Sequence, residues 1–274
     1  MGVATYAAAQ VLRALPRKRL SRAVGQLCDR PLSDGVSRAV AETYSRVLGV
    51  DVGEAEELGR PYRSFDEFFT RRLRAGLRPI ADAPVVSPAD GRVASRGRVE
   101  PSGMIVAKGR PYDVGELLGD PSTASRWWGG AFAVVYLSPR DYHRVHSPVD
   151  GAVELVRGIP GDLFPVNAIG ERHVPGLFVK NNRVVLLIDS PSVGRAAVVL
   201  VGATIVGRIS VARIPAPAVP PGDHAPGTPW EVARGDELGA FHLGSTAVVL
   251  LERGFEIVAP TGAIRYGQAL ARRR

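Results

Sequence analysis

From Pro79 to the C-terminus the chain is written in short apolar runs broken by Gly and Pro: "GRVASRGRVE", "AFAVVYLSP", "GAVELVRGIPG", "RVVLLIDS", "RAAVVLVGATIVGRISVARI", "STAVVLLE" and "FEIVAP". Runs of this length, rich in Val and Ile and punctuated by turn residues, are β-strand signals. No long helical segments separate them, so the crossovers that parallel strands require are missing and a mainly antiparallel β core is expected. Upstream the texture differs. Residues 1 to about 80 read as helical, so the expected fold class is α+β. The expected division is an N-terminal helical region over 1–80 and a β-rich core over 81–274.

Within the helical part, "SDGVSRAVAETYSRVLGV" opens on a Ser/Asp start signal and places Val36, Val40, Tyr44, Val47 and Leu48 at helical spacing. "SFDEFFTRRLRAGLRP" has Ser64 as N-cap, Asp66 and Glu67 in the first turn and arginines toward the end, with Gly76 and Pro79 expected to close it. The Pro/Gly-dense stretch from Ile214 to Gly239 reads as a mobile surface loop.

Charge narrows the partners. The formal net charge is +8, which favours anionic surfaces, nucleic acid or acidic lipid. The basic residues gather early: Arg13, Arg17, Lys18, Arg19, Arg22, Arg30, Arg38 and Arg46 lie beside Val11, Leu12, Leu15, Leu20, Val24 and Leu27. Basic residues flanking an apolar stripe read as a helix lying on an anionic membrane. The alternative is a helix packed on the protein's own core with a solvated basic face. No nucleic-acid motif accompanies the charge. No run of 18 apolar residues occurs, and the N-terminus lacks the basic start of a signal peptide, so a peripheral protein on the cytoplasmic side of the cell membrane is expected. One cysteine, Cys28, excludes an intramolecular disulfide framework and fits a reducing compartment.

Three stretches carry reactive side chains. "SPADGRV" sets Asp90 in a turn before a strand. "SPRDYHRVHSPVDG" holds His143 and His146, two of the five histidines. "LGST" puts Ser245 at the mouth of a strand. Asp, His and Ser are the ingredients of a nucleophilic triad, in which a carboxylate orients an imidazole and the imidazole takes the hydroxyl proton. The same residues also allow other readings: Asp90 as a plain turn former, and the His pair as metal ligands or loop residues.

"SPADGRV", "RDYHRVHSPVDG", "PGDLFPVN", "LFVKNNRVV", "VGATIVGRI" and "FHLGST" occur in this order, behind "FDEFFTRRLRAGLRP". Together they resemble the phosphatidylserine decarboxylase family, over nearly the whole chain. The resemblance implies a proenzyme that cleaves itself at Gly244-Ser245. The Ser245 hydroxyl would attack the Gly244 carbonyl to give an ester. Elimination would leave a dehydroalanine that hydrolyses to a pyruvoyl group, the covalent cofactor, with no metal. The products would be a β chain, 1–244, and an α chain, 245–274. Carried over by motif, Asp90 orients, His146 is the general base and Ser245 the nucleophile. The pyruvoyl ketone would form a Schiff base with phosphatidylserine and act as electron sink while CO2 leaves. His143 is the candidate proton donor to the resulting carbanion. The family also implies a homodimer and an anionic membrane surface as partners, phosphatidylethanolamine as product, and no nucleic acid.

Two rivals stand beside this. A zinc-dependent hydrolase would use His143, His146 and Asp90 as ligands, although two histidines three apart beside prolines lack the helical i, i+4 spacing of that motif. A non-enzymatic basic membrane-binding module would need only the N-terminal charge. Smaller expectations are Trp127 and Trp128 as an interfacial pair on opposite faces of a strand, Phe164 as lipid-facing or core, and a turn at Asp236–Glu237.

Overall fold

A computed structural model describes residues 17–166, 170, 173–204, 208–243 and 245–274. The apolar start of the chain and Gly244 lie outside the described residues. Helices come first: α1 (Arg17–Cys28), α2 (Asp34–Leu48) and α3 (Phe65–Phe69). Two short ones, α4 (Val114–Leu118) and α5 (Leu177–Lys180), interrupt the strands of the β-rich part. Those strands are β1 (Val85–Val86), β2 (Gly91–Arg98), β3 (Met104–Ala107), β4 (Arg110–Asp113), β5 (Ala131–Leu137), β6 (Arg144–His146), β7 (Gly151–Ile159), β8 (Arg183–Ser190) and β9 (Gly194–Val201). They continue with β10 (Arg208–Val211), β11 (Gly222–His224), β12 (Trp230–Val232), β13 (Glu237–His242), β14 (Ser245–Leu251), β15 (Phe255–Ile257), β16 (Gly262–Ile264) and β17 (Ala269–Arg273). The expected α+β class and antiparallel pairing are both present.

The large sheet runs β11-β7-β8-β9-β14-β5-β2-β16, with β12 also on β7. Two small sheets, β1-β17-β15 and β10-β13-β6, and the β3-β4 hairpin accompany it. The apolar runs are continuous because the large sheet is buried on both faces. Along β14, Ala247, Val249 and Leu251 enter the core shared with the small sheets, through residues such as Val145 and Phe241. Val248 and Leu250 enter a second core shared with Leu117, Trp127 and Phe178. β14 is central, pairing with β5 from Ser245↔Leu137 to Leu251↔Ala131 and with β9 from Thr246↔Val201 to Leu251↔Ala196. Ala247 to Leu251 are each 0% exposed. Full burial of a Val or Leu side chain stabilises by about 1.5–3 kcal/mol. A break before Ser245 would therefore leave segment 245–274 held by the middle of the sheet.

Several local expectations change. The helix at Ser64 starts as predicted, with Ser64 Oγ accepting from Glu67 N–H at 3.2 Å, but it ends at Phe69 and not near Gly76. Thr70 Oγ1 donates to the Asp66 carbonyl. The backbone beyond then leaves the helix to pair with an earlier segment, through Glu56 N–H to Arg72 O and Arg74 N–H to Glu54 O, both 2.9 Å. The stretch expected to be one long surface loop contains β11 and β12, whose backbone completes the ladder along β7. Trp127 and Trp128 are not on a strand: Trp127 ends a 3₁₀ helix and is 1% exposed, while Trp128 is 38% exposed. Phe164 is half-buried against the second core. The turn before Glu237 is present, with Ala233 N–H donating to Asp236 Oδ2.

Candidate active site

The sheet order brings three sequence motifs to one end of the molecule. β5 carries β2 on one side and β14 on the other, with Arg92 and Thr246 both opposite Tyr136. Asp90 ends the turn into β2, and Ser245 begins β14. Gly91 permits this closeness: its φ is +152°, and a Cβ there would lie 2.3 Å from the Tyr136 carbonyl oxygen. Asp90 and Ser245 are thus about two strand spacings, ~10 Å, apart. β6 packs nearby, its His146 N–H donating to Pro88 O at 2.8 Å.

Ser245 is 1% exposed. Its Oγ and the Thr246 Oγ1 are buried without a hydrogen-bond partner among the described residues. A buried unpaired hydroxyl is costly and invites a functional explanation. Leu243, two residues earlier, has φ of +86°. For a side chain with a Cβ this region is strained by roughly 1–3 kcal/mol. The strain sits next to the bond between residues 244 and 245, and no sequence signal announces it, since Leu is not a residue that seeks this conformation.

His143 is 0% exposed and lies against the Phe69 ring, centroids 4.1 Å apart. Its Nδ1 is 2.8 Å from the Asp141 carbonyl oxygen, so Nδ1 carries the proton and donates. Nε2 is then a bare acceptor, buried and without a partner among the described residues. Burial, with a smaller push from Arg71, drives its pKa down to about 3, against the opposing Asp141 hydrogen bond. His143 in this state accepts a proton before it can donate one.

His146 is arranged differently. Nδ1 donates to Gly235 O at 2.7 Å and Nε2 accepts from the Tyr142 hydroxyl at 3.2 Å. Burial lowers its pKa, opposed by the Gly235 hydrogen bond and by the nearby charges of Glu237 and Asp90. Asp90 takes Arg78 Nε and Nη2 at 3.0 and 2.7 Å on Oδ2, and the Tyr266 N–H at 2.9 Å on Oδ1. Arg78 is shared with Glu54, at 3.1 and 2.6 Å. The structure therefore places His146 near Asp90, while the hydrogen bonds of a relay from Asp90 through His146 to Ser245 are not made. Antiparallel register places His146 opposite Glu237 and the His143 carbonyl on the Phe241 N–H. Along β13, His143 is the nearer of the two to Ser245.

Arg78, Tyr142 and Tyr266 join the site without a sequence signal of their own. Tyr266 stands in a turn with no motif around it, and Arg78 reads in sequence only as a helix-end charge. The zinc reading loses its donor set: both Asp90 oxygens are engaged by a guanidinium and a backbone N–H, and no group of three or more His, Cys, Asp or Glu placed to hold one ion occurs among the described residues.

A serine sealed at the head of a central strand, its hydroxyl unpaired among the described residues and two residues behind a strained one, is what a class of chain that reacts with its own backbone would need. Comparison with known proteins agrees. The phosphatidylserine decarboxylase family profile matches residues 65–272. The chain is 44% identical over 271 residues to the phosphatidylserine decarboxylase proenzyme of Anaeromyxobacter sp. strain K, covering 94% of this chain and 95% of the relative. It is 41% identical over 272 residues to that of Acidovorax ebreus strain TPSY, with the same coverage, and 40% identical over 248 residues to that of Myxococcus xanthus strain DK1622, covering 89% and 88%. The chain belongs to the phosphatidylserine decarboxylase family.

Proposed function

We propose that this chain is the proenzyme of a phosphatidylserine decarboxylase, and that it matures by cutting itself at Gly244-Ser245. Ser245 carries the reading: its hydroxyl is buried and unpartnered among the described residues at the head of β14, two residues after the strained Leu243. The residues fit a pyruvoyl group made in place, because β14 is locked on both sides by β5 and β9 and would keep the new terminus where it forms. That group supplies a carbonyl to capture the substrate amine and an electron sink for the departing CO2.

The chain's own residues supply the rest. Ser245 Oγ is the nucleophile, and its proton passes to a neutral imidazole. His146 is the base of the motif, its ring held by Gly235 and Tyr142 and its charged form favoured by Asp90. To serve, its Nε2 exchanges the Tyr142 hydroxyl for the serine. His143, with a bare Nε2, takes up a proton in the buried site and returns it to carbon after CO2 leaves. Residues 1–80 form the membrane-docking region and 81–274 the catalytic core. Leu20, Leu27, Val36 and Val47 are 42%, 61%, 50% and 74% exposed, an apolar surface suited to the cytoplasmic face of an anionic membrane. A homodimer is the proposed assembly.

An intact-mass spectrum of the purified, denatured protein tests this. Two chains split at Gly244-Ser245, the smaller beginning in a pyruvoyl group, are expected, together with release of CO2 from phosphatidylserine. Ser245→Ala should stay whole and inactive. A Ser245→Ala chain that still decarboxylates would overturn the proposal.

A further inference from the structure

Three residues outside the proposed triad form a complete hydrogen-bonded chain. His242 Nδ1 lies 2.8 Å from both Asp66 carboxylate oxygens, and its Nε2 lies 3.0 Å from Ser210 Oγ. The carboxylate fixes the tautomer, so Nδ1 carries the proton and Nε2 is the acceptor, with the Ser210 hydroxyl donating to it. This is the carboxylate-imidazole-hydroxyl geometry that Asp90, His146 and Ser245 do not make. Both Asp66 and His242 side chains are 16% exposed. They line a cavity of about 380 Å³ together with Lys18, Arg22, Arg208 and Leu243. Leu243, two residues before Ser245 in the chain, is part of the lining, which ties the cavity to the segment that carries the proposed reaction site.

The walls of the cavity suit a zwitterionic phosphodiester headgroup. Lys18 and Arg22, one turn apart on α1, line it with no ion pair among the described residues. Arg208 is held by Asp29, at 2.5 Å, and by Asp66, at 3.2 Å. Burial alone would raise the Asp66 pKa, but His242 and Arg208 together hold it below the usual carboxylate range, so Asp66 stays charged. The groups facing His242 are thus Asp66 from α3, Ser210 and Arg208 from β10, and Lys18, Arg22, Cys28 and Asp29 at the α1 end. Lys18 and Arg22 line the open side of the cavity and are exposed to solvent, as are Leu20 and Leu27 on the same helix.

We propose that His242, oriented by Asp66, is a further catalytic residue: it accepts the proton of the substrate ammonium in this cavity, so that a free amine reaches the carbonyl at residue 245. An α-ammonium keeps most of its protons near pH 7 and cannot attack until one leaves. The step balances within the chain. The ammonium N–H bond breaks, a proton joins His242 Nε2, the Ser210 hydroxyl rotates to accept from the new N–H, and Asp66 offsets the imidazolium charge. Lys18 and Arg22 receive the phosphodiester. This role presupposes the decarboxylase activity proposed above.

The test uses cleaved protein, with the mature fraction counted by mass. His242→Gln and Asp66→Asn are compared with the wild type on glycerophosphoserine, and in parallel on hydroxylamine, an amine already neutral at pH 7. kcat/KM for glycerophosphoserine should fall about 100-fold at pH 7 in His242→Gln and recover as pH rises toward the substrate's own pKa. Trapping by hydroxylamine should keep its wild-type rate. Equal losses on both amines, or no loss on either, overturn the role. Hydroxylamine failing to trap even the wild type would instead overturn the pyruvoyl reading. Should the variants not mature, histidine NMR on the uncut Ser245→Ala chain decides. Glycerophosphoserine should move the His242 resonances, and Asp66→Asn, which no longer fixes the proton on Nδ1, should change the tautomer signature of the His242 ring nitrogens. Resonances that ignore the ligand would refute the contact.

Discussion

The imidazole of His146 lies face to face on the ring of Tyr266, centroids 3.9 Å apart and planes 6° from parallel. The Tyr266 N–H donates to Asp90 at 2.9 Å, so one residue touches both the imidazole and the carboxylate of the proposed self-cleavage machinery. Tyr266 lies after Ser245, in the segment proposed to become the small chain. The segment proposed to begin at the cut, and to stay held in the sheet, thus packs against the base proposed to make it. Tyr266→Leu should remove the stack, worth about 0.5–1.5 kcal/mol, and let the ring turn. Self-cleavage followed by mass should slow roughly 10-fold or more, a drop of ~1.4 kcal/mol in transition-state stabilisation. Tyr266→Phe, which keeps the stack and the backbone donor, should cut like the wild type. If Tyr266→Leu matures at the normal rate, the stack is packing only.

This pair marks where the sequence ceases to be readable. Asp90, His146 and Ser245 are legible because each sits in a short motif with turn residues around it. The β core is legible because Val and Ile runs between glycines have few other solutions. Tyr266 is not, since a stack between residues 120 apart along the chain depends on sheet order, which local pattern does not encode. The early end of α3 is hidden for a similar reason: residues 70–76 have no helix breaker before Gly76, and a pairing with residues 54–56 decides their path. β11 and β12 look like loop because edge strands tolerate Pro and Gly that a central strand would refuse. Leu243 gives no sign at all, because its strain is imposed by the surrounding fold.

Arg78 offers a sharper energetic test. Its side chain is 4% exposed and bridges Glu54 and Asp90. Burial works against its charge, but the two carboxylates raise its pKa overall. Replacing it leaves Asp90 buried without its partner, and losing one member of a buried pair costs about 3–5 kcal/mol. Arg78→Met, made in the uncut Ser245→Ala chain, should lower the urea midpoint accordingly. Adding Asp90→Asn should return part of the loss, because the orphaned charge goes with it. Arg78→Lys should fall between, keeping charge but not the fork. A strictly additive double variant would contradict the coupling.

His143 makes the fold sensitive to acid. Its folded pKa is about 3, well below the ordinary 6.5, because burial disfavours the imidazolium. The unfolded chain therefore binds a proton that the folded chain refuses between those values. This stability is fully present above about pH 6.5 and is lost as pH falls toward about 3, at up to ~1.4 kcal/mol per pH unit. His146, shifted the same way, adds to the slope. Urea titrations of the Ser245→Ala chain from pH 7 to pH 4 should show the decline. His143→Asn, which can still donate to Asp141 O but does not titrate, should flatten it. A slope unchanged by that substitution would mean that other groups set the acid limb.

The exposed apolar side chains of α1 and α2 predict how the protein meets lipid. Leu27 and Val47 are 61% and 74% exposed, and neither belongs to the buried core. Among the described residues no helix is long and apolar enough to cross a membrane, so these helices are proposed to lie on one. Burying one such side chain in the acyl boundary gains about 1.5–3 kcal/mol, a factor of roughly 10 to 100 in partitioning. Leu27→Glu with Val47→Glu should thus cut sedimentation with phosphatidylserine vesicles by at least roughly 10-fold. Basic residues on the same helices add attraction that salt screens, with a Debye length near 10 Å at 0.1 M and about 3 Å at 1 M. Wild-type protein washed off by about 1 M salt would show that charge dominates. Retention at that salt, combined with loss in the double variant, would show that apolar insertion does. A double variant that sediments like the wild type, in low salt and high, would remove these two helices from the docking surface and return their apolar residues to an uncommitted solvent face.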